Sequence, residues 1–384
     1  NQRRIDIRGA CVLSVKVFGQ EDCNAVTALA EAGMEQKLET LEAIQQLAVC
    51  DKLVTAEENV RFEQPMESIL QIDGNAVLQE VKLIHGKAVI KGEIYAKILY
   101  LTPSVEMVTL EKTVPFSQIL DLDGADEGCQ WAGWAEVTGC TLMAGNAESG
   151  EVLSATAMLH LQVWRIAQRS IVADAFSTQC ETTLEKQTFC VAQPVTKLEE
   201  QVEVVCSGQL PDEGAQIVTC MATVCPPELL PDEKGTLLRG RAVAHIICLN
   251  SLGEMECYDR ACEYQLDKGW QIAPEQLDLA VQAALVEVRA EKDGDQAQAK
   301  LTIRLSGMVT RRAPVSMVTG VECGQELEPD QNGVALRIYY ACAGEDVFDI
   351  ARNYHASPSA ILQAAGLEEM VLEQPARLLI PVLN

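Results

Sequence analysis

Long apolar runs and histidine are scarce in this chain of 384 residues. No stretch approaches the roughly 18 apolar residues that a membrane-spanning helix needs, so we expect no membrane span. The four histidines lie in separate segments, too few and too scattered for an ordinary zinc ligand set. We therefore expect no bound metal and no cofactor. Because the sequence begins at Asn1 and not at methionine, it leaves an upstream signal peptide open.

Positive charge is also scarce, since 30 Lys and Arg residues stand against 56 Asp and Glu residues and the formal net charge is -26. Electrostatic repulsion then argues against nucleic acid, an anionic membrane surface and polyanionic wall polymers as partners. Hydrophobic residues make up 48% of the chain, which is enough to build real cores. The length allows about two to four domains.

Catalytic patterns are missing as well. The sequence contains no nucleophile beside a base, no paired carboxylates at a recognisable spacing and no phosphate-binding glycine loop. The acidic stretch from Asp121 to Glu127 lacks the glycine spacing of a calcium loop, and we interpret it as a turn. The sequence therefore predicts no catalytic residue and a protein that is not an enzyme.

Cysteine, in contrast, is abundant. The fifteen cysteines are odd in number and scattered over a chain too long to need disulfide staples. This usage favours a reducing compartment at synthesis, with exposed thiols available for later crosslinking. The close pairs Cys220 with Cys225 and Cys257 with Cys262 resemble ligand spacing, but neither is a CxxC motif.

One stretch of the sequence occurs twice. The residues KAVIKGEIYAKILYL at Lys87–Leu101 recur as GTLLRGRAVAHIICL at Gly235–Leu249, an offset of 148 that also relates Phe116 to Tyr264. In both copies apolar and polar residues alternate, which is the period of a strand with one buried face. The sequence therefore predicts a repeated β-rich unit of roughly 140 residues.

A shorter block occurs three times, at 13–17, 159–163 and 301–305, with the same order of apolar and polar positions. We interpret it as the closing strand of each unit, so the N-terminal copy lacks its opening strands. We expect either a truncated unit or a strand at 5–17 that completes a sheet in another molecule.

Residues 34–47 give conflicting signals. They are rich in helix formers, and propensity alone favours a helix there. Their counterpart in the repeat, within 172–191, is rich in Thr, Phe and Val and favours a strand. We follow the repeat and predict extended structure.

Short strands at regular spacing with turn residues between them predict a mainly β fold of sandwich-like units. The chain then divides into five parts. These are the closing part of a truncated or strand-swapped unit at 1–35, complete units at 36–170 and 171–315, an acidic linker at 316–334, and a different C-terminal domain at 335–384.

The C-terminal domain changes from strand to helix. Val347, Ile350 and Tyr354 recur at helical spacing, and Ser357 with Pro358 is typical of the start of a second helix. With a strand on either side, the predicted order is βααβ. The domain resembles the LysM module over residues 336–382 in the positions of Gly344, Asp346, Ile350, Ala351, Leu367 and the Leu379-Ile-Pro381 end.

The LysM resemblance implies a shallow groove between two loops that binds N-acetylglucosamine glycans. The family's Leu-x-x-Asn-Asn turn is Leu362-Gln-Ala-Ala-Gly366 here, which removes amide groups that would bond an acetamido sugar. Glu368, Glu369 and Glu373 add charge that a glycan does not need. The groove is therefore open to a protein ligand as well as to a glycan. Its implied residues are Ala343, Gly344, Glu345, Asp346 and Val347 on one side and Ala365, Gly366, Leu367, Glu368 and Glu369 on the other.

The β repeats resemble the SPOCS domain of spore coat and spore morphogenesis proteins of Firmicutes. The resemblance rests on Lys87–Leu101 with Gly92, on Pro115-Phe116 before an acidic turn, and on Asp174-Ala-Phe-Ser177 after the closing strand. The second unit departs from it by having Cys248 in place of an aromatic residue. Tandem SPOCS units followed by one LysM are similar to the clostridial coat-tethering type of protein, whose LysM docks onto the ATPase that polymerises beneath the coat.

These resemblances imply a non-enzymatic structural and adaptor protein of the bacterial spore envelope. The SPOCS units would form a scaffold and self-associate, and the LysM would dock onto a coat-basement protein. The implied location is the mother-cell cytoplasm at the forespore surface and later the spore coat. The alternatives are a peptidoglycan-binding protein of the cell envelope or surface, and a subunit of a spore-surface or cell-surface filament assembled by strand exchange.

Overall fold

The computed structural model describes residues 9, 22–144, 150–210, 212, 214–233, 235–328 and 335–381. Over these residues the protein is mainly β, which confirms the predicted fold class. The strands are β1 (Met34–Val60), β2 (Ser68–Ile84), β3 (Lys87–Leu101), β4 (Met107–Asp121), β5 (Gln130–Ala144), β6 (Glu151–Ser177), β7 (Cys180–Gln209), β8 (Gln216–Val224), β9 (Glu228–Asp232), β10 (Gly235–Leu249), β11 (Met255–Trp270), β12 (Leu277–Asp293), β13 (Gln296–Glu326), β14 (Leu336–Ala341) and β15 (Ala376–Pro381). The helices are α1 (Val347–Asn353) and α2 (Pro358–Ala365), with a 3-10 turn at Pro274–Gln276.

The sheets follow the repeat seen in the sequence. β3 is the central strand of the antiparallel sheet β2-β3-β4, and β10 is central in the antiparallel sheet β11-β10-β8, with β9 also paired to β10. Further sheets have the orders β1-β6-β5, β12-β13-β7 and β14-β15. The two copies of the repeated sequence therefore occupy equivalent central positions.

A glycine and an aromatic ring pair across strands in both copies. Gly92 in β3 lies opposite Phe116 in β4, and Gly240 in β10 lies opposite Tyr264 in β11. A Cβ atom on Gly92 would lie 2.3 Å from the Phe116 ring, and one on Gly240 would lie 2.1 Å from the Tyr264 ring. In each copy the ring fills the space of the missing side chain, so the offset of 148 preserves one packing unit.

The alternation along β3 and β10 separates a buried face from an exposed one. Ile90 and Ile94 in β3 and Ile246 in β10 are fully buried. Burying each such side chain contributes roughly 2 kcal/mol. Two apolar cores result, one within residues 54–163 and the other within residues 198–309.

Residues 34–47 are extended, as the repeat predicts, because they lie in β1. Helix propensity favoured the other conformation by only a few tenths of a kcal/mol per residue. Pairing of β1 with β6 in the sheet β1-β6-β5 supplies backbone hydrogen bonds and packing that outweigh this preference.

The predicted acidic linker at 316–334 is wrong in its first part. β13 continues to Glu326, and Met317 and Val318 within it are buried. Glycines and acidic residues suggested a linker, but they are equally compatible with the exposed positions of a strand. Residues 329–334 and the predicted closing strand at 5–17, apart from Gly9, lie outside the described residues.

The chain forms two compact units. The β unit comprises Thr40–Arg169 and Cys190–Val315. The terminal unit comprises the described parts of Asn1–Glu39, Ser170–Phe189 and Ser316–Asn384. This division differs from the consecutive domains expected from the sequence, because β1, β6, β7 and β13 each supply residues to both units.

Residues 336–381, which we call the βααβ domain, have the predicted order of elements. β14 and β15 pair antiparallel, and both helices follow β14. Asp346 is the N-cap of α1, and its carboxylate accepts a hydrogen bond from the Phe348 N–H at 2.8 Å. α2 has Pro358 in its first turn, and its C-cap is Gly366, whose φ of 67° is a left-handed conformation that favours glycine.

Candidate functional site

The loops that would form the groove meet at one end of the βααβ domain. The Val347 N–H donates to the Met370 carbonyl at 2.7 Å, and the Leu372 N–H donates to the Glu345 carbonyl at 3.0 Å. The first predicted side of the groove, 343–347, is thus hydrogen-bonded to residues 370–372, which directly follow the second predicted side at 365–369. These bonds fix the relative position of the two loops.

The predicted groove residues differ in exposure. Val347 is fully buried, so its side chain supports the loop from inside the core and does not line a groove. Ala365 and Leu367 are half-buried and pack on the same core. The residues that are open to solvent are Ala343, Gly344, Gly366, Glu368 and Glu369.

The other two acidic residues of the predicted groove are engaged within the terminal unit. Glu345 accepts hydrogen bonds from the Tyr339 hydroxyl at 3.0 Å and the Cys342 N–H at 2.6 Å, and the first of these bonds raises the pKa of Tyr339. Asp346 caps α1 and also contacts Lys37 Nζ at 2.5 Å, and its side chain is 12% exposed. The hydrogen bond to Asp346 raises the pKa of Lys37. Both carboxylates therefore hold the loop in place.

The βααβ domain takes part of its core from the C-terminal end of β6. Phe176 is buried in the same apolar cluster as Phe348, and the two rings pack edge to face with centroids 5.2 Å apart. The Asp174 carboxylate pairs with Lys186 Nζ at 3.0 Å and with the Arg352 guanidinium of α1. The stretch Asp174-Ala-Phe-Ser177, singled out in the sequence, is thus the segment that α1 packs against.

The outer face of the sheet β14-β15 is apolar and open to solvent. Along β14, Leu336, Ile338 and Tyr340 are 54%, 58% and 76% exposed. The sequence-based expectations did not include this surface, although the alternation in LRIYY was an available signal. We call it the β14 face. It consists of Leu336, Ile338 and Tyr340 with their cross-strand partners Pro381, Leu379 and Arg377.

One cysteine pair is covalently joined. Cys206 in β7 and Cys262 in β11 form a disulfide with a sequence separation of 56 and Cα atoms 5.1 Å apart. The sequence grouped Cys262 with Cys257, which is a free thiol. Spacing could not predict the bond, because it joins strands that are distant in the sequence.

The described residues contain no group of three or more His, Cys, Asp or Glu side chains placed to hold a metal ion. Within the same part of the chain, neither helix has the length and apolar character required to cross a membrane.

These features define a class of protein with tandem antiparallel β repeats and a small βααβ domain that presents an apolar sheet face. The family model described as SipL, SPOCS domain, matches residues 65–143. The matched segment contains the pair of Gly92 and Phe116, and the match supports the SPOCS resemblance of the first repeat. It indicates a sporulation-related protein. No curated protein matches the chain, and no solved structure matches it.

Proposed function

We propose that this chain is a non-enzymatic structural and adaptor protein of the bacterial spore envelope. The SPOCS match at residues 65–143 supports a role in sporulation, and the antiparallel repeats provide a scaffold that self-associates. The βααβ domain, which resembles a LysM module, docks onto a coat-basement protein. The protein acts at the forespore surface in the mother-cell cytoplasm and then in the spore coat.

The β14 face is the observation that carries the docking role. Leu336, Ile338 and Tyr340 form a row of exposed apolar side chains, and exposed apolar patches mark protein interaction sites more often than chance. Arg377 lies opposite Tyr340, and tyrosine and arginine are enriched among the residues that dominate interface energies. The face therefore suits a protein partner with apolar and acidic side chains.

Peptidoglycan binding is the second candidate function. It rests on the LysM resemblance and on the exposed loop residues Gly344, Gly366 and Glu368. Glu345 and Asp346 already have partners within the terminal unit, which leaves few polar side chains to bond an acetamido sugar. This balance favours a protein ligand over a glycan.

The test uses the full chain with one substitution on the β14 face and one elsewhere. Ile338→Glu places a charge in the middle of the face, and Leu53→Glu is a matched control, because Leu53 in β1 is 51% exposed. The partner is the coat-basement ATPase, captured from lysates of sporulating cells and then purified for a binding titration. We expect I338E to weaken binding about tenfold or more and L53E to leave it unchanged.

The same proteins are also mixed with purified cortex peptidoglycan and sedimented. Co-sedimentation of all variants, with no ATPase captured by the wild-type chain, would overturn the adaptor role and favour the glycan-binding function. Circular dichroism of each variant checks that the sheet is intact.

A further inference from the structure

Two free thiols line one open cleft in the terminal unit. The cleft has a volume of about 590 Å³, and Cys180 and Cys323 both contribute to its wall. Cys180 is the first residue of β7, and Cys323 lies near the end of β13, which pairs with β7. Cys323 is exposed and Cys180 is partly exposed. A small oxidant in solution can therefore reach both sulfur atoms.

The backbone on both sides of the cleft is held by hydrogen bonds. The Ser177 hydroxyl accepts from the Gln179 N–H at 3.0 Å and from the Cys180 N–H at 3.2 Å, which fixes the start of β7. The Leu327 N–H donates to the Gln179 carbonyl at 2.8 Å, which holds the end of β13 against it. The chain segments that carry the two cysteines are therefore held against each other.

The thiols themselves are in contact. A hydrogen bond with the Cys180 side chain, together with partial desolvation and the negative charge of Glu31, raises the pKa of Cys323. Other free thiols are placed differently. Cys220, for example, is buried, and desolvation raises its pKa to about 11, so it is shielded from reagents in solution.

We propose that Cys180 and Cys323 are a peroxide-sensitive dithiol that closes to a disulfide within one chain. One sulfur, as the thiolate, attacks hydrogen peroxide, which breaks the O–O bond and gives a sulfenic acid and, after protonation, one water. The second thiol then attacks the sulfenic sulfur, which forms the S–S bond and releases a second water. Two thiols lose two electrons and two protons, and one peroxide becomes two waters.

The crosslink ties the start of β7 to the end of β13. β7 follows the end of β6, which carries Phe176, and β13 leads toward β14 and the βααβ domain. Oxidation therefore joins the start of β7 covalently to the end of β13. Both segments are close in the sequence to parts that build the βααβ domain, namely Phe176 and β14. Because the attacking group is a thiolate and the contact favours the neutral thiol of Cys323, the reaction accelerates as the pH rises.

The test uses the full chain, reduced and then exposed to graded hydrogen peroxide, with free thiols blocked before tryptic digestion without reductant. Cleavage after Arg169, Lys186, Arg312 and Arg337 gives two peptides, 170–186 and 313–337, each with a single cysteine. We expect mass spectrometry to detect the two peptides joined, with a yield at least several-fold higher at pH 8.5 than at pH 6.5. Cys180→Ser removes the joined species, and Cys190→Ser, at an exposed control position, does not.

A mixture of unlabelled and nitrogen-15-labelled chains distinguishes a bond within one chain from a bond between chains. The proposal is supported if the two peptides of each joined pair carry the same nitrogen isotope. Mixed labels would overturn it in favour of intermolecular crosslinking. The proposal would also be overturned if Cys180 and Cys323 both stayed reduced, and so both carried the thiol-blocking group, at peroxide doses that oxidise Cys190 to sulfinic acid.

Discussion

At the scale of single residues, Asp346 has a second role that its sequence position does not indicate. An Asp directly before an apolar helix indicates a cap, and it does cap α1. Lys37 binds the same carboxylate from a sequence distance of 309 residues. No local pattern encodes this contact. The LysM resemblance implied that Asp346 lines a ligand groove, and in the structure its carboxylate has two partners, the Phe348 N–H and Lys37.

The first prediction concerns this cap. Asp346→Ala should lower the free energy of unfolding by about 1 to 2 kcal/mol, because the Phe348 N–H loses its acceptor. The ion pair adds little to this loss, since Lys37 is partly exposed to solvent. Urea denaturation of the full chain, followed by hydrogen exchange of the α1 amides, measures the effect.

Asp349→Ala is the control for this prediction. Asp349 lies in the first turn of the same helix, is 61% exposed and contacts Arg352 at 3.7 Å. Its loss should change the free energy of unfolding by no more than about 0.5 kcal/mol. Equal effects of the two substitutions would show that capping is not the main role of Asp346.

At the scale of elements, the central strand of each repeat has a glycine at the point where an aromatic ring of the adjacent strand packs. Gly92→Ala should destabilise the β unit by about 2 kcal/mol or more, because the new methyl group would meet the Phe116 ring and, at 2.6 Å, the Val77 carbonyl oxygen. Gly139→Ala, on β5, is the matched control, since no atom lies within 4 Å of its added Cβ. Thermal and urea unfolding of both variants make the comparison, and a harmless G92A would refute the close packing.

The elements also show which features a sequence can predict. The strands β3 and β10 were predictable because a period of two and the repeat agreed, and the βααβ order was predictable from helical spacing and from Ser357-Pro358. The extension of β13 to Glu326 was not, since its exposed residues are as polar as a linker. The β14 face was not predicted, because alternating apolar residues do not show which face of a strand the rest of the domain will bury.

At the scale of the whole molecule, the core of the βααβ domain includes a side chain from outside the domain. Phe176, from a distant part of the chain, is 3% exposed and completes its core. Phe176→Ala should destabilise the domain by about 3 kcal/mol or more, because it leaves a cavity against Phe348. Hydrogen exchange should accelerate in α1 and α2 while the amides of β3 keep their protection.

Phe189→Ala serves as the control for this third prediction. Phe189 lies on β7 in the same terminal unit and is only half-buried. It should leave the exchange of α1 and α2 unchanged. A segment limited to residues 335–384 lacks Phe176 and should exchange faster in both helices than the full chain does. Equal exchange rates would show that the domain folds without Phe176 and the end of β6.

The packing of Phe176 in the core of the βααβ domain has a mechanical consequence. Tension applied to this domain loads that packing and the ion pair between Asp174 and Arg352. The two contacts separate only when Phe176 leaves the core, so the resistance of this attachment to pulling is set by an unfolding rate.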